Sequence, residues 1–214
     1  MQVHPCTPKV IRRAASALAA TAIAFAMLGS AALAAPPEVR DHIANSGAGA
    51  TNTVCEGNIC TSTSVLVIVN SPDGPSQACL DISRYAKTDT GFVGLGYETG
   101  CAPLNEGAFS IDARGLANAT LSSVDVVLQA FMCDTNACQP TTTRTATVRA
   151  TWTGVGDLNT FRSNSKSTFG GCSMYFVGRG SQRQATAILT IGGQSLDAAG
   201  YLAVSTQKIK VLCR

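Results

Sequence analysis

The sequence predicts an all-β protein, an antiparallel β-sandwich cross-linked by disulfides, and three observations support this. Short apolar or alternating segments, separated by Gly, Pro, Asn and Asp, run from residue 61 to the last cysteine. No stretch after residue 35 shows the apolar period of an amphipathic helix. Eight of the nine cysteines also lie after residue 35, and this even number suits disulfide pairing in an exported protein.

The first 34 residues have the organisation of a signal peptide. Lys9, Arg12 and Arg13 precede a long alanine-rich run, which closes in Ala32-Leu33-Ala34, a small-x-small cleavage pattern. We therefore predict a signal peptide over 1–34, cleavage after Ala34, and a secreted or periplasmic bacterial protein with no membrane span after cleavage. An uncleaved anchor is the alternative, because the run over 14–34, with 21 residues, has the length to span a bilayer. Alanine is a weak membrane residue, and this favours cleavage.

Two segments follow the signal peptide. Residues 35–53 contain Pro, Ala, Gly, Ser and Asn without an apolar period, so we predict a flexible leader there and a disulfide-rich β-domain over 54–214. Strands are predicted at 64–69, 90–98, 108–113, 124–133, 141–153, 172–177, 185–191, 201–204 and 208–213. Many short strands with frequent turns favour a sandwich of the immunoglobulin-like or jelly-roll-like type.

The clearest strand covers residues 141–153, in which residue types alternate. Its even positions from 146 onward are Ala146, Val148, Ala150 and Trp152, whereas its odd positions carry threonines and Arg149. A period of two indicates one buried and one solvated face. We therefore predict that Trp152 lies in the core and that Arg149 points to solvent.

The spacing of the cysteines predicts four disulfides. The eight cysteines beyond the signal peptide are Cys55, Cys60, Cys79, Cys101, Cys133, Cys138, Cys172 and Cys213. Two C-x4-C pairs enclose four residues each, which suits a hairpin loop whose flanking strands bring the cysteines about 4.5–5.5 Å apart at Cα. Zinc and thioredoxin-type chemistry are disfavoured, since both use two intervening residues. We predict the pairing 55–60, 79–101, 133–138 and 172–213. The repeated order of the pairs also suggests a duplicated unit, with a split into two lobes near 134–140.

Motifs for catalysis, cofactor binding and metal binding are absent from the sequence. The one histidine beyond the signal peptide, His42, falls in the predicted leader, and there is no HExxH, GxSxG or P-loop pattern. We therefore predict no catalytic, cofactor-binding or metal-binding residue. The alternative is a secreted hydrolase that works with paired carboxylates, whose substrate the sequence does not indicate. Its candidates are Asp81, Asp89, Glu98, Glu106, Asp112 and Asp125.

Charge is segregated along the chain. Residues 35–134 hold eleven acidic and four basic side chains, whereas residues 135–214 hold two acidic and nine basic ones. Lys208 and Lys210 share one face of a short strand, and Arg149 points outward from its own strand, so these three are the candidate anion-binding residues. The sequence thus predicts a non-enzymatic structural or interaction module of the bacterial envelope or extracellular space. Its expected partner is an anionic polysaccharide or another anionic polymer of the envelope, or extracellular DNA, bound mainly by electrostatics.

Overall fold

The computed structural model describes residues 38–71, 74–134 and 137–213, and the predicted signal peptide over 1–34 lies outside these ranges. The described chain is all-β and antiparallel, as predicted. Its strands are β1 (Glu38–Glu56), β2 (Ile59–Ser71), β3 (Gln77–Thr88), β4 (Gly91–Pro103), β5 (Phe109–Ile111), β6 (Asn118–Cys133), β7 (Cys138–Phe169), β8 (Cys172–Ile191) and β9 (Gln194–Cys213). Within the described ranges, no helix has the length and apolarity needed to cross a membrane.

The nine strands form one sheet that closes on itself through β4 and β6. The hydrogen-bonded order is β4-β3-β2-β1-β9-β8-β7-β6-β5, and β4 also pairs with β6. This last pairing is short, from Gly96↔Met132 to Thr99↔Gln129, and β5 pairs with the other part of β6 at residues 119–121. Eight strands therefore make a closed ring. The sandwich type is not confirmed, because hydrogen bonding runs continuously around a single sheet.

The closing pair of strands is held on both faces of the sheet. On one face, the rings of Tyr97 and Phe131 stack with centroids 4.6 Å apart. On the other face, Arg144 of β7 forms an ion pair with Glu98 of β4, with Nη2 2.6 Å from Oε2. These side-chain contacts join β4 to β6 and β7. They matter because the backbone pairing of β4 with β6 covers only four residue pairs.

The two halves of the chain have matching topology. Strands β1–β4 and β6–β9 are each a four-stranded meander, with one disulfide across the first hairpin and another across the third. However, β1 pairs with β9 and β4 pairs with β6, so both halves contribute to one ring around one core. The described residues from 38 onward form a single compact unit, rather than the two lobes divided near 134–140 that were the alternative to one β-domain.

All four predicted disulfides are present in the structure. They join Cys55 to Cys60, Cys79 to Cys101, Cys133 to Cys138, and Cys172 to Cys213. In each pair the two cysteines are directly opposed on neighbouring antiparallel strands, with Cα atoms 3.9–4.0 Å apart. The two C-x4-C pairs therefore close hairpin ends, as their spacing predicted.

The predicted flexible leader over 35–53 is wrong for its described part, because residues 38–56 form β1, which pairs with both β2 and β9. Its residues are small because the neighbours come close. A Cβ atom added at Gly47 would lie 2.5 Å from the carbonyl oxygen of Val67, and one at Gly49 would lie 2.6 Å from the Tyr201 ring. Close packing and hydrogen bonding to both β2 and β9 thus make this segment a strand, although its composition suggested a loop.

The core lies on the inward face of the ring. On β7 the even positions from Ala146 to Trp152 are buried and the odd positions are exposed, which confirms the predicted alternation. Trp152 is 1% exposed, and its Nε1 donates a hydrogen bond to the carbonyl oxygen of Gly49, at 3.2 Å. The ring of Phe109 meets Trp152 edge-on, with centroids 6.3 Å apart. We call this inward surface the core face.

A loop over residues 112–117 joins β5 to β6 and carries one buried side chain. Asp112 accepts hydrogen bonds from the backbone N–H groups of Arg114, Gly115 and Ala117, at 3.1–3.2 Å. This arrangement holds Leu116 in the left-handed region, with φ of 49°, and buries its side chain completely in the core. The Asp112 carboxylate therefore organises the backbone that places Leu116.

These bonds predict a pH dependence of stability. The N–H groups of Gly115, Ala117 and Arg114 hold the pKa of Asp112 below its ordinary value of 3.8. Because the pKa is lower in the folded state, this contribution is present above about pH 4 and disappears as the pH falls through the folded value. We expect Asp112→Asn to lower the melting temperature at neutral pH and to flatten its fall in acid.

The measurement is the melting temperature between neutral pH and strong acid, followed by circular dichroism. Asp89→Asn is the matched control, since Asp89 lies in the exposed turn between β3 and β4. An Asp112→Asn protein that melted with the wild-type pH profile would contradict the assignment.

Candidate functional site

Four strands continue beyond the rest of the ring and form an extension that we call the arm. It comprises residues 159–169 of β7, 172–182 of β8, 203–213 of β9 and 38–47 of β1, which pair side by side in register. Eleven residues of strand correspond to about 36 Å at about 3.3 Å per residue. The Cys172–Cys213 disulfide lies at its far end.

One face of the arm carries the basic side chains. Directly opposed residues of neighbouring strands share a face, and every second residue along a strand returns to it. The buried Leu202 of β9 and Ala187 of β8 mark the core face, so the same alternation places five basic residues of β7, β8 and β9 on the continuation of that face. These residues, which we call the basic face, are Arg162 and Lys166 of β7, Arg179 of β8, and Lys208 and Lys210 of β9.

The register sets the arrangement of these charges. Arg162 lies directly opposite Arg179, while Lys166 and Lys210 both lie opposite Tyr175, one on each side. The Lys166 ammonium lies 5.3 Å from the centroid of the Tyr175 ring, a distance at which a cation–π attraction holds the two side chains together. The basic face is therefore a two-dimensional array across three strands, rather than a row along one strand.

Two concave regions lie along this face. One, of about 860 Å³, lies at the base of the arm and is lined by both arginines, by the end of β2 and by Ala113. The other, of about 850 Å³, lies nearer the far end and is lined by His42, Tyr175, Lys208 and Lys210, among others. Together they make a surface able to follow an extended ligand past most of the basic side chains.

Most cations of the basic face lack a carboxylate partner in the described chain. No carboxylate of the described residues forms an ion pair with Arg162, Lys166, Arg179 or Lys208. Arg144, in contrast, is paired with Glu98. Since a cluster of like charges attracts anions from solution, the basic face is the strongest candidate binding surface in the described chain.

The sequence predicted part of this surface. Lys208 and Lys210 lie on the basic face together, whereas Arg149 lies opposite Thr190 on the outward face of the ring. Arg149 is thirteen residues before Arg162 on β7, roughly 40 Å along the strand. The structure therefore joins the two lysines to Arg162, Lys166 and Arg179, which were not predicted, and separates them from Arg149.

The arginines were missed because both lie outside the predicted strands 141–153, 172–177 and 185–191, whereas the observed β7 and β8 contain them. The register of β7 against β8 shifts between Val155 and Asn159, where β7 has additional residues. Whether Arg162 shares a face with Trp152 depends on the number of those residues, and the sequence gives no sign of it. The alternation of basic residues at positions 162 and 166 was visible and was the available signal.

The six carboxylates proposed for a hydrolase lie on different strands, loops and turns. Asp81 and Asp125 accept hydrogen bonds from Thr99 and Thr147 on the outward face. Glu98 binds Arg144, and Asp112 holds its own loop. Asp89 and Glu106 lie exposed in turns. Each of the first four is engaged in a structural contact, and no group of three or more potential metal ligands occurs in the described chain.

The chain matches no protein-family model, no curated protein and no solved structure. Fold and site alone define its class, which is a disulfide-linked antiparallel protein with a closed sheet and a basic arm. Four disulfides are typical of proteins in an extracellular or otherwise oxidising compartment.

Proposed function

We propose that the protein is a secreted or periplasmic, non-enzymatic interaction module that binds an anionic polymer through the basic face of its arm. One observation carries this proposal: five basic side chains from three strands share one face, and four of them have no carboxylate partner in the described chain. The polymer would be an anionic polysaccharide or another polymer of the bacterial envelope. In this view the opposite walls of the ring pack against each other like the two sheets of a sandwich, and provide a rigid support for the arm.

A polymer suits this surface better than a small substrate does. The charges extend along the arm and lie beside two open concave regions, so several anionic groups of one chain can be neutralised at once. Such binding releases counterions and depends steeply on salt. Tyr175 is engaged by Lys166, so stacking on bases contributes little and the recognition is mainly electrostatic.

The test is the affinity for alginate and for duplex DNA as a function of salt. Four contacts to anionic groups imply an affinity loss on the order of 100-fold between about 50 and 200 mM salt. We expect Lys208→Glu with Lys210→Glu to weaken binding to both polymers by about tenfold or more at low salt, because two attractive charges become repulsive. The two probes differ in backbone, so a preference for one of them identifies the polymer class.

The matched control is Lys87→Glu with Arg149→Glu, which makes the same change in net charge away from the arm. Lys87 is at the end of β3, and Arg149 is on the outward face of β7. If the control weakened binding as much as the arm variant, or if affinity were the same at low and physiological salt, the proposal would be wrong.

A further inference from the structure

We infer that Arg162 and Arg179 form a discrete oxyanion site at the base of the arm, which takes a phosphate, sulfate or carboxylate group. The inference deepens the proposed function and rests on it in one respect, since the anionic polymer is what would supply that group. Within the basic face, the two arginines bind anions in a different geometry from the lysines. A guanidinium offers a planar fork of donors that matches an oxyanion in two hydrogen bonds, whereas an ammonium acts as a point charge.

The register places two like charges directly opposite each other. Arg162 of β7 and Arg179 of β8 are Cα partners and share the basic face. Directly opposed residues have Cβ atoms about 4.5–5.5 Å apart, and like charges in this relation destabilise a sheet. The fold therefore bears a repulsion that a bound anion would convert into attraction.

Arg144 and Arg183, the other arginines placed near the core face, bind a carboxylate or backbone carbonyls, whereas the described chain gives Arg162 and Arg179 no partner of either kind. Arg144 is paired with Glu98 across the closing strands. Arg183, four residues after Arg179, donates from Nε to Gly156 O at 3.0 Å and from Nη1 to Gly115 O at 3.1 Å, so it ties β8 to the loop over 112–117. For Arg179 the structure gives a single hydrogen bond, from Nε to Thr206 Oγ1 at 3.4 Å. This bond fixes one edge of the guanidinium and leaves both Nη groups for a ligand.

The surroundings of the pair suit an oxyanion. Both arginines line the concave region of about 860 Å³, together with the hydroxyl-bearing residues Ser46, Thr160, Ser181 and Thr206. Hydroxyl groups donate hydrogen bonds to oxyanions, and no carboxylate of a described residue lines this region. The walls come from five strands (β1, β2, β7, β8 and β9) and from Ala113, so an anion here would contact the rigid base of the arm.

Protection of an exposed sheet edge does not explain both arginines. Charged residues on an edge strand prevent pairing with other molecules, and this reading accounts for Arg162 on β7. Arg179, however, lies on β8, which is paired with β7 on one side and with β9 on the other. A second arginine on an interior strand, facing the first, points to a ligand.

The experiment uses inorganic phosphate, sulfate and acetate as probes, at constant ionic strength, with the full chain. Binding is followed by the NMR shifts of the arginine Nε–Hε groups and by the melting temperature, which a ligand of the folded state raises. We compare the wild type with Arg162→Lys/Arg179→Lys, which keeps the charge, and with Arg162→Gln/Arg179→Gln. Arg149→Gln is the matched control.

We expect the wild type to bind at least one oxyanion, with the shifts confined to Arg162 and Arg179. The lysine double variant should lose about tenfold in affinity and the glutamine double variant more, because the planar fork and then the charge are removed. Arg149→Gln should behave as the wild type does. The glutamine variant should also melt at or above the wild-type temperature without anion, since repulsion is relieved.

The outcomes separate this site from the proposed function. If polymer binding falls in the Lys208→Glu/Lys210→Glu protein but stays unchanged in both arginine variants, the oxyanion site is wrong and the proposed function stands. If no polymer binds while phosphate still shifts the NMR signals of the two arginines, the proposed function is wrong and the oxyanion site stands. Equal oxyanion affinity in the wild type and the lysine double variant would contradict a geometric site, and unfolding of the glutamine variant would assign the pair a structural role.

Discussion

Replacing Trp152 by alanine should lower the free energy of unfolding by about 3–5 kcal/mol, the range found for buried aromatic side chains. The side chain is 1% exposed, and its indole N–H bonds to Gly49 on β1, three strands further around the ring. The substitution would leave a cavity where β1, β7 and Phe109 now meet, and would remove a hydrogen bond across the core. Because Trp152 is the one tryptophan in the chain, unfolding by urea should be followed by far-UV circular dichroism.

Two further variants make this test specific. Trp152→Phe keeps most of the volume and loses the N–H donor, so its cost should be about 1–2 kcal/mol, close to that of one hydrogen bond with a smaller cavity. Phe169→Ala is the surface control, because Phe169 is 85% exposed at the end of β7. A Trp152→Ala protein destabilised by no more than the surface control would show that the ring is not held by this core.

Removal of the Cys79–Cys101 disulfide, by alanine at both positions, should destabilise the protein by about 3 kcal/mol. The bridge closes a sequence separation of 22 residues within the ring, so its loss frees that part of the unfolded chain. Removing the hairpin bridge Cys55–Cys60, which spans a sequence separation of only five, should cost about 2 kcal/mol by the same loop-closure entropy argument.

The Cys172–Cys213 bridge should behave differently, although its separation of 41 is the longest of the four. It lies at the far end of the arm, where local opening does not require the ring to unfold. We expect its removal to increase amide hydrogen exchange in the arm far more than it lowers the urea midpoint. An unchanged midpoint after removal of Cys79–Cys101, or after verified reduction of all four bridges, would show that the disulfides do not hold the fold.

Short-range features of this protein could be predicted from its sequence. The four-residue gaps within the two C-x4-C pairs, and the simple order of the other four cysteines, led to the observed pairing. The alternation from Ala146 to Trp152 identified the core side of β7, because a period of two depends on local geometry alone.

Features that depend on distant partners could not be predicted. β1 was taken for a leader because it is rich in small residues, which fit only once β2 and Tyr201 lie beside it. Ring closure depends on the ladder between residues 96–99 and 129–132, for which no local pattern exists. The basic face needed the irregularity near Val155 and the register of three strands before its five charges could be placed together.

The pairing of β1 with β9 also sets a limit on how fast the molecule reaches its native state. Ala44 pairs with Thr206, so the ring cannot close until a chain segment of more than 160 residues has folded back on itself. Native contacts between residues so far apart in sequence slow folding, because the entropy of closing the loop is lost before the contact forms. While β9 is still unpaired, β1 and β4 both present open edges, which can pair with other molecules. The first four strands contain two of the disulfides, and early oxidation there would keep this half in register until its partner strands arrive.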